Sequence, residues 1–268
     1  GSFAYVIQSQ GLNLLLNVFF GPVVNASRGI SNMVMSAIQG FQGNIVVAFR
    51  PQIVQAYAAG EQERVKNLFY SLSKISFILL SMLSVPVILE LKFILHLWLG
   101  EVVPEYTYSF TILVLLNMIF SSLNTPVTQV VHATAKMKTY QIITSVIVFS
   151  ILPFSYIFLK IDNDPNIVYW VSLVLTIINQ IACNIILKNI FPYSLIEYFK
   201  LVILPCISFL ILTPIIPYII QCNFKDSFPR FLFVSFIYII ISISFSYIIL
   251  LNKSERKILH GFINRKKH

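Results

Sequence analysis

Asn32, Ser36, Gln39 and Gly43 fall at i, i+4, i+7 and i+11 in an otherwise apolar stretch, so they form one stripe along a helix. Gln10, Asn13 and Asn17 repeat the pattern, as do Asn117, Ser121, Asn124, Thr128 and His132, and more weakly Gln180, Asn184 and Lys188. Amides and hydroxyls at neutral pH donate and accept hydrogen bonds and carry no charge, and a hydroxyl attacks a bond only with a base beside it. Their chemistry is solvation, either of a polar solute or of one another. Groups for covalent work are missing: there are no paired carboxylates, no HExxH, GxSxG, P-loop or GxGxxG, and His96, His132, His260 and His268 are scattered. Cys183, Cys206 and Cys222 lack metal-ligand spacing and read as packing residues. Neither an enzyme nor a cofactor or metal is indicated.

The elements that must position these stripes are membrane helices. Hydrophobic residues make up 57% of the 268 and charged residues 11%, too apolar for a water-soluble surface. A bilayer core of about 30 Å takes roughly 20 helical residues, and eight stretches meet that length: 3–20, 30–49, 68–89, 107–133, 140–159, 166–188, 201–220 and 231–251. The fold class expected is all-α, a polytopic membrane bundle of about eight spans. Glu61, Arg64 and Lys66 extend the third helix into water without a Gly or Pro break. Pro86, Pro126, Pro153, Pro205, Pro214 and Pro217 punctuate the spans and predict kinks. Three parts are expected: a six-helix bundle over 1–190, two peripheral lipid-facing helices over 191–252 and a basic tail over 253–268. The last two spans carry Ile, Leu, Phe and Val with only scattered Ser and Thr.

The net charge of +9 suits membrane topology better than nucleic acid, because the basic residues sit singly in short connections without an aromatic-interleaved basic face. The second, fourth and sixth connections and the tail hold 14 of the 19 Lys and Arg residues. Positive residues are retained in the cytoplasm, so both chain ends are expected there. The N-terminus has neither a signal-peptide pattern nor a methionine and reads as the start of a fragment.

A polar stripe turned to lipid is poorly solvated, so each should face the bundle interior. One stripe alone is explained by interhelical hydrogen bonding. Three or four in one chain favour a wet cavity, with Asn13, Asn17, Asn32, Ser36, Gln39, Asn117, Asn124 and Thr128 as candidate walls. Cations are candidates for a phosphate-bearing headgroup: Arg50, Lys74, His132 and Lys136 toward the cytoplasmic mouth and Arg28 opposite. Each is also explained as a topology signal or lipid anchor. An ionised group at mid-bilayer costs roughly 3 kcal/mol, and none is read there.

Three runs carry a family resemblance: Phe20-Gly21-Pro22-Val23-Val24-Asn25-Ala26-Ser27-Arg28-Gly29-Ile30, Arg50-Pro51-Gln52-Ile53-Val54-Gln55-Ala56-Tyr57-Ala58-Ala59-Gly60-Glu61 and Phe93-Ile94-Leu95-His96-Leu97-Trp98-Leu99-Gly100. With these the chain resembles, over nearly its whole length, bacterial polysaccharide flippases, the Wzx-like lipopolysaccharide and O-antigen exporters of the multidrug, oligosaccharidyl-lipid and polysaccharide exporter superfamily. The resemblance implies two six-helix lobes about a central cavity, of which this chain matches the second plus two further helices. It also implies the bacterial inner membrane and, as substrate, an undecaprenyl-pyrophosphate-linked oligosaccharide. The partners it implies are membrane lipid and the first lobe or a second copy. Arg50 departs from the neutral polar residue expected before the Pro-Gln pair.

Two rival readings stay open. A cation-coupled drug exporter of the same superfamily would need an intramembrane carboxylate, for which the chain offers Glu90 at a span end. A membrane-embedded polysaccharide polymerase or acyltransferase would need convergent charged groups on a long outward loop, where His96, Glu101 and Glu105 stand without an evident partner set.

Overall fold

The computed structural model describes residues 2–250, and helices account for nearly all of them, with no strand among the described residues. The expected basic tail over 253–268 and the end of the last span lie outside the described residues. Two compact units form, one ending at Leu195 and one starting at Ile196.

The first unit contains α1 (Ser2–Phe20), α2 (Pro22–Ala58), α3 (Gln62–Leu89), α4 (Leu91–Leu99), α5 (Thr107–Ser121), α6 (Asn124–Thr134), α7 (Lys138–Ile161) and α8 (Ile167–Ile190). Gly21 (φ +78°) gives its N–H to the Asn17 carbonyl at 3.0 Å, and Pro22 opens α2, so the chain reverses sharply after α1. At the end of α2, Gly60 (φ +75°) lets the Glu61 N–H reach back to the Ala56 carbonyl at 3.0 Å, closing the helix before α3. The first turns of α3 carry exposed Glu61–Arg64 and Glu63–Lys66 pairs, each at 2.9 Å, which mark the water-facing extension read from the sequence.

Packing partners define a ring. Helix α1 touches α2 and α7, α2 touches α5 and α6, these touch α8, and α8 returns to α7. Helix α3 packs behind α2, α5 and α6, outside the ring. Its buried Ser73, Ser76, Ser81 and Ser84 permit close approach, as small residues do between membrane helices. One end of the ring is filled by an apolar cluster including Leu12, Leu16, Val24, Phe110, Leu113, Ile151, Leu159 and Val168.

Six helical segments are long and apolar enough to cross a membrane: Gln62–Leu89, Thr107–Thr134, Lys138–Ile161, Ile167–Ile190, Leu195–Asn223 and Phe228–Ile248. The sequence count of eight also included α1 and α2, which fold as helices but stand outside this set. Both carry amide stripes, which lower apolarity without shortening the helix. One further feature escaped the sequence reading. The connection after α3 contains α4, a short amphipathic helix that buries Leu91 and Leu95 and exposes Lys92, His96 and Trp98. The irregularity expected at Pro126 is present as a break at Ser122–Leu123, beginning four residues before the proline, whose ring clashes with the carbonyl its missing N–H would have bonded.

In the second unit, α9 (Leu195–Tyr198) runs through a π-helical turn over Phe199–Ile203 into α10 (Leu204–Leu212) and, after a break at Thr213–Pro214, into α11 (Ile215–Asn223). This break lies four residues before Pro217, by the same rule. Helix α12 (Phe228–Phe245) folds back along α11, with Phe245 edge-on to Phe209 at 5.7 Å. Ser227 caps α12 by accepting the Arg230 N–H at 3.3 Å, and Arg230 ties the turn to Asp226 (2.6 Å) and to the Phe224 carbonyl (2.9 Å).

The closest helix approach at a glycine in the ring is testable. A Cβ on Gly11 would sit 2.7 Å from both methyl carbons of Leu152 on α7, whereas one on Gly40 of α2 meets nothing within 4 Å. Thermal unfolding in detergent should show Gly11→Val destabilised by about 1–3 kcal/mol through overpacking. Gly40→Ala should be neutral or stabilised by up to about 1 kcal/mol.

Candidate functional site

The ring lines an open cavity of about 650 Å³, within the usual size range of small-molecule sites. All six ring helices contribute. Tyr5, Gln8, Ser9 and Leu12 come from α1, and Arg28, Asn32, Met35, Ser36 and Gln39 from α2. Val114, Asn117, Met118, Ser121, Asn124, Thr125 and Thr128 come from α5, the break and α6. Ile147, Val148 and Ile151 line it from α7, and Tyr169, Ser172, Leu175, Thr176 and Asn179 from α8. Amides and hydroxyls predominate, with apolar residues between them. Among these side chains only Arg28 carries a formal charge.

Hydrogen bonds across the helix seams hold this lining in place. Ser31 and Thr111 hydroxyls meet at 3.0 Å between α2 and α5, and Gln42 Nε2 donates to Thr125 Oγ1 at 3.1 Å between α2 and α6. Thr176 donates to Asn117 Oδ1 at 3.2 Å, joining α8 to α5, and the Thr128 and Tyr140 hydroxyls meet at 2.6 Å, joining α6 to α7. At the break, Gln180 Nε2 donates to the Leu123 carbonyl at 3.0 Å. Cys183 lies between Thr144 Oγ1 (3.5 Å) and Asn179 Oδ1 (3.6 Å), linking α7 and α8 through a weak sulfur contact. The Arg28 guanidinium donates to the Ser9 carbonyl at 3.0 Å and so ties α2 to α1.

Of the candidate wall residues, Asn32, Ser36, Gln39, Asn117, Asn124 and Thr128 line the cavity. Asn13 and Asn17 do not. The carbonyl of Asn13 accepts Asn25 Nδ2 at 3.3 Å in the α1–α2 seam, and Asn17 is exposed at the end of α1. Burial of Leu12 and Leu16 in the apolar cluster sets the rotation of α1, and that rotation turns Tyr5, Gln8, Ser9 and Leu12 inward instead.

Among the cation candidates Arg28 alone lines the cavity. Arg50, His132 and Lys136 are exposed, and no hydrogen bond or ion pair joins them; Lys74 is buried on α3, outside the ring. On α8 the sequence stripe of Gln180 and Asn184 serves packing: Asn184 Nδ2 donates to the Gln180 carbonyl (2.8 Å), and Tyr193 donates to the Asn184 carbonyl (2.9 Å). The wall on that helix is Tyr169, Ser172, Thr176 and Asn179. Their spacing of three, four and three residues is a helical stripe that reading along the sequence would have found.

Comparison of the chain with protein-family models, with characterised proteins and with solved structures gives no match in any of the three. The class is therefore the one that fold and cavity define: an all-helical chain with six membrane-length apolar helices, consistent with a multi-pass membrane protein, built around a polar cavity.

The roles of two amides separate on substitution. Gln180→Leu removes a bond to a carbonyl at a buried break and should lower stability by about 1–3 kcal/mol. Asn17→Leu, on the exposed side, should stay within about 0.5 kcal/mol. Thermal unfolding in lipid nanodiscs reads both.

Proposed function

We propose that this chain is the working lobe of a bacterial inner-membrane flippase that moves a lipid-linked oligosaccharide, carried on undecaprenyl pyrophosphate, between leaflets for surface polysaccharide synthesis. The observation that carries this reading is an open hydrogen-bonding cavity lined by helices of a bundle that also presents long apolar faces. Sugar hydroxyls exchange bonds with amide and hydroxyl walls at little net cost, while the lipid tail stays in hydrocarbon. Counting α1 and α2 as crossing helices gives eight spans, and the excess of basic residues in alternate connections then sets both chain ends in the cytoplasm. In that orientation the apolar cluster of Leu12, Leu16, Val24 and Phe110 closes the outward end. Alternating access requires a facing lobe or a second copy, about which the ring would rock.

The polar lining favours this over the drug-exporter reading. The cavity wall holds no carboxylate to bind a coupling cation, and its amides suit a hydroxylated solute better than an apolar one. A membrane polymerase would need a reactive cluster, and the wall side chains offer none of its groups beyond Arg28.

Expression of the full-length gene in a cell lacking its own flippase should restore surface polysaccharide, measured by glycan staining of the cell envelope. The double substitution Asn117→Leu and Asn124→Leu should cut that signal about tenfold or more at unchanged protein level, the factor expected when roughly 1.4 kcal/mol of solute hydrogen bonding is lost. Full activity of the double variant, or no restoration by the parent, rejects the reading.

A further inference from the structure

Helix α4 has three unlike faces. Leu91 and Leu95 are buried, and Lys92 and His96 are exposed on the sector beside them. Phe93, Ile94, Leu97 and Trp98 take the remaining sector, an arc of about 140° at 3.6 residues per turn. There Leu97 and Trp98 are 66% and 51% exposed, and Phe93 and Ile94 are half-buried. A helix in water gains nothing by holding leucine and tryptophan outermost. A helix wholly in hydrocarbon would not carry lysine and histidine. One face on protein, one apolar and one wet is the pattern of a helix lying in a membrane surface.

The neighbouring elements put α4 at that level. Helix α3 starts among the water-facing Glu61–Arg64 and Glu63–Lys66 pairs. From Lys66 to Leu89 it rises about 35 Å, close to the thickness of a bilayer core. Helix α4 begins two residues later, packs back on α3 and ends at Gly100 (φ +77°), whose N–H reaches the His96 carbonyl at 2.9 Å. The His96 ring lies 6.5 Å from that of Tyr108, in the first turn of α5, and α5 opens the membrane-length segment Thr107–Thr134. So α4 bridges the ends of two crossing helices on one side of the bundle.

An independent marker lies on the same side. Successive crossing helices run in alternate directions, so the connection between α7 and α8 opens at the end where α4 sits. Trp170, in the first turn of α8, is 53% exposed there, and Lys160 Nζ lies 4.8 Å from the centre of the Tyr156 ring at the end of α7. Trp98 and Trp170 are the two tryptophans of the chain. Tryptophan collects at headgroup level, where its ring is in apolar surroundings and its N–H is wet.

We propose that α4 is an interfacial anchor, with Ile94, Leu97 and Trp98 seated in the headgroup–acyl boundary of one leaflet and Lys92 and His96 turned to headgroup phosphates and water. The occupant of the apolar face is phospholipid. Anchored in this way, α4 fixes the height at which α3 and α5 leave the bilayer, and with it the α5 part of the cavity wall. This requires the bundle to cross a bilayer and is independent of what the cavity carries.

The test uses the full chain in phosphatidylcholine vesicles, with Trp170→Phe so that Trp98 is the sole fluorescent indole. The quenchers are 6,7-dibromo-phosphatidylcholine, brominated high on the chain, the deeper 11,12-dibromo lipid, and aqueous iodide. A face seated roughly 5–10 Å into the boundary should be quenched about twofold or more strongly by the shallow lipid than by the deep one, and weakly by iodide. Iodide quenching stronger than that of either lipid places Trp98 in water and overturns the proposal. Equal or stronger quenching by the deep lipid places it in hydrocarbon, and resistance to all three places it under protein; each overturns the proposal as well. Trp98→Phe, which leaves Trp170 alone, is the control for the bilayer itself. Lipid quenching of Trp170 with any of those contrary results at Trp98 rejects the anchor and keeps the crossing bundle. Absence of lipid quenching at both positions rejects the crossing bundle too.

Discussion

The constraint on which the first unit depends is that a polar group surrounded by apolar helices must find its hydrogen bond on another helix or in enclosed water. Hydrocarbon offers no substitute, and an unpaired buried amide or hydroxyl costs on the order of 1–3 kcal/mol. Five helix pairs answer this with a bond between them: Arg28 to Ser9, Ser31 to Thr111, Gln42 to Thr125, Thr176 to Asn117, Thr128 to Tyr140. These bonds lie beside the cavity and use one part of a stripe, leaving the rest to face the chamber. Asn117 shows both uses at once, since Oδ1 is taken by α8 while the side chain lines the wall. Interhelical glue and cavity wall are thus two positions on one polar surface.

The break at Ser122–Leu123 follows from the same constraint. Proline at position 126 removes a donor and frees a carbonyl, which inside a membrane cannot be left to solvent. The neighbouring turn tightens, with the Ser122 and Leu123 N–H groups reaching carbonyls three residues back at 3.3 Å, and Gln180 delivers its amide to the Leu123 carbonyl. Once that break exists, α5 and α6 are separate rigid pieces, and Asn124, Thr125 and Thr128 enter the wall from the second piece. The position of one proline therefore sets both the irregularity and part of the chamber surface.

Helix content and the inward stripes on α2 and α5–α6 were legible because helical period and apolar length are local properties of a sequence. The wet extension of α3 was legible because Glu61, Arg64 and Lys66 cannot sit in hydrocarbon. What could not be read was rotation. On α1 two stripes compete, Gln10–Asn13–Asn17 and Tyr5–Gln8–Ser9–Leu12, and only the burial of Leu12 and Leu16 against α5, α7 and α8 chooses the second. On α8 the more polar stripe, Gln180 and Asn184, was drawn into packing, with Gln180 bonded to the Leu123 carbonyl at the break, and the milder stripe from Tyr169 to Asn179 was left as wall. Each of the cations has a local reason to be at a membrane edge, yet Arg28 alone of them lines the cavity, tied to Ser9, 19 positions away.

The apolar cluster at one end of the ring bears on how such a chamber would exchange its contents. Leu12, Leu16, Val24, Phe110, Leu113, Ile151, Leu159 and Val168 are each at most 8% exposed, and moving a side chain of this kind into water costs roughly 1.5–3 kcal/mol. Wetting half of them together would cost roughly 6–12 kcal/mol, so a melted cluster is a rare state. A slide of rigid pieces in which one apolar contact replaces another avoids that cost, and packed interfaces of this kind have two discrete states. The helices that meet there include α1, joined to α2 by a tight Gly-Pro turn, and α5, severed from α6 by the break. The first joint lies at the end of α1, and the second near the middle of the Thr107–Thr134 segment. A shift of α1 and α5 against α7 and α8 would move the stopper while the hydrogen-bonded seams around Gln42, Thr125 and Gln180 stayed closed, and Arg28 on α2 would be drawn along with α1 by its bond to Ser9.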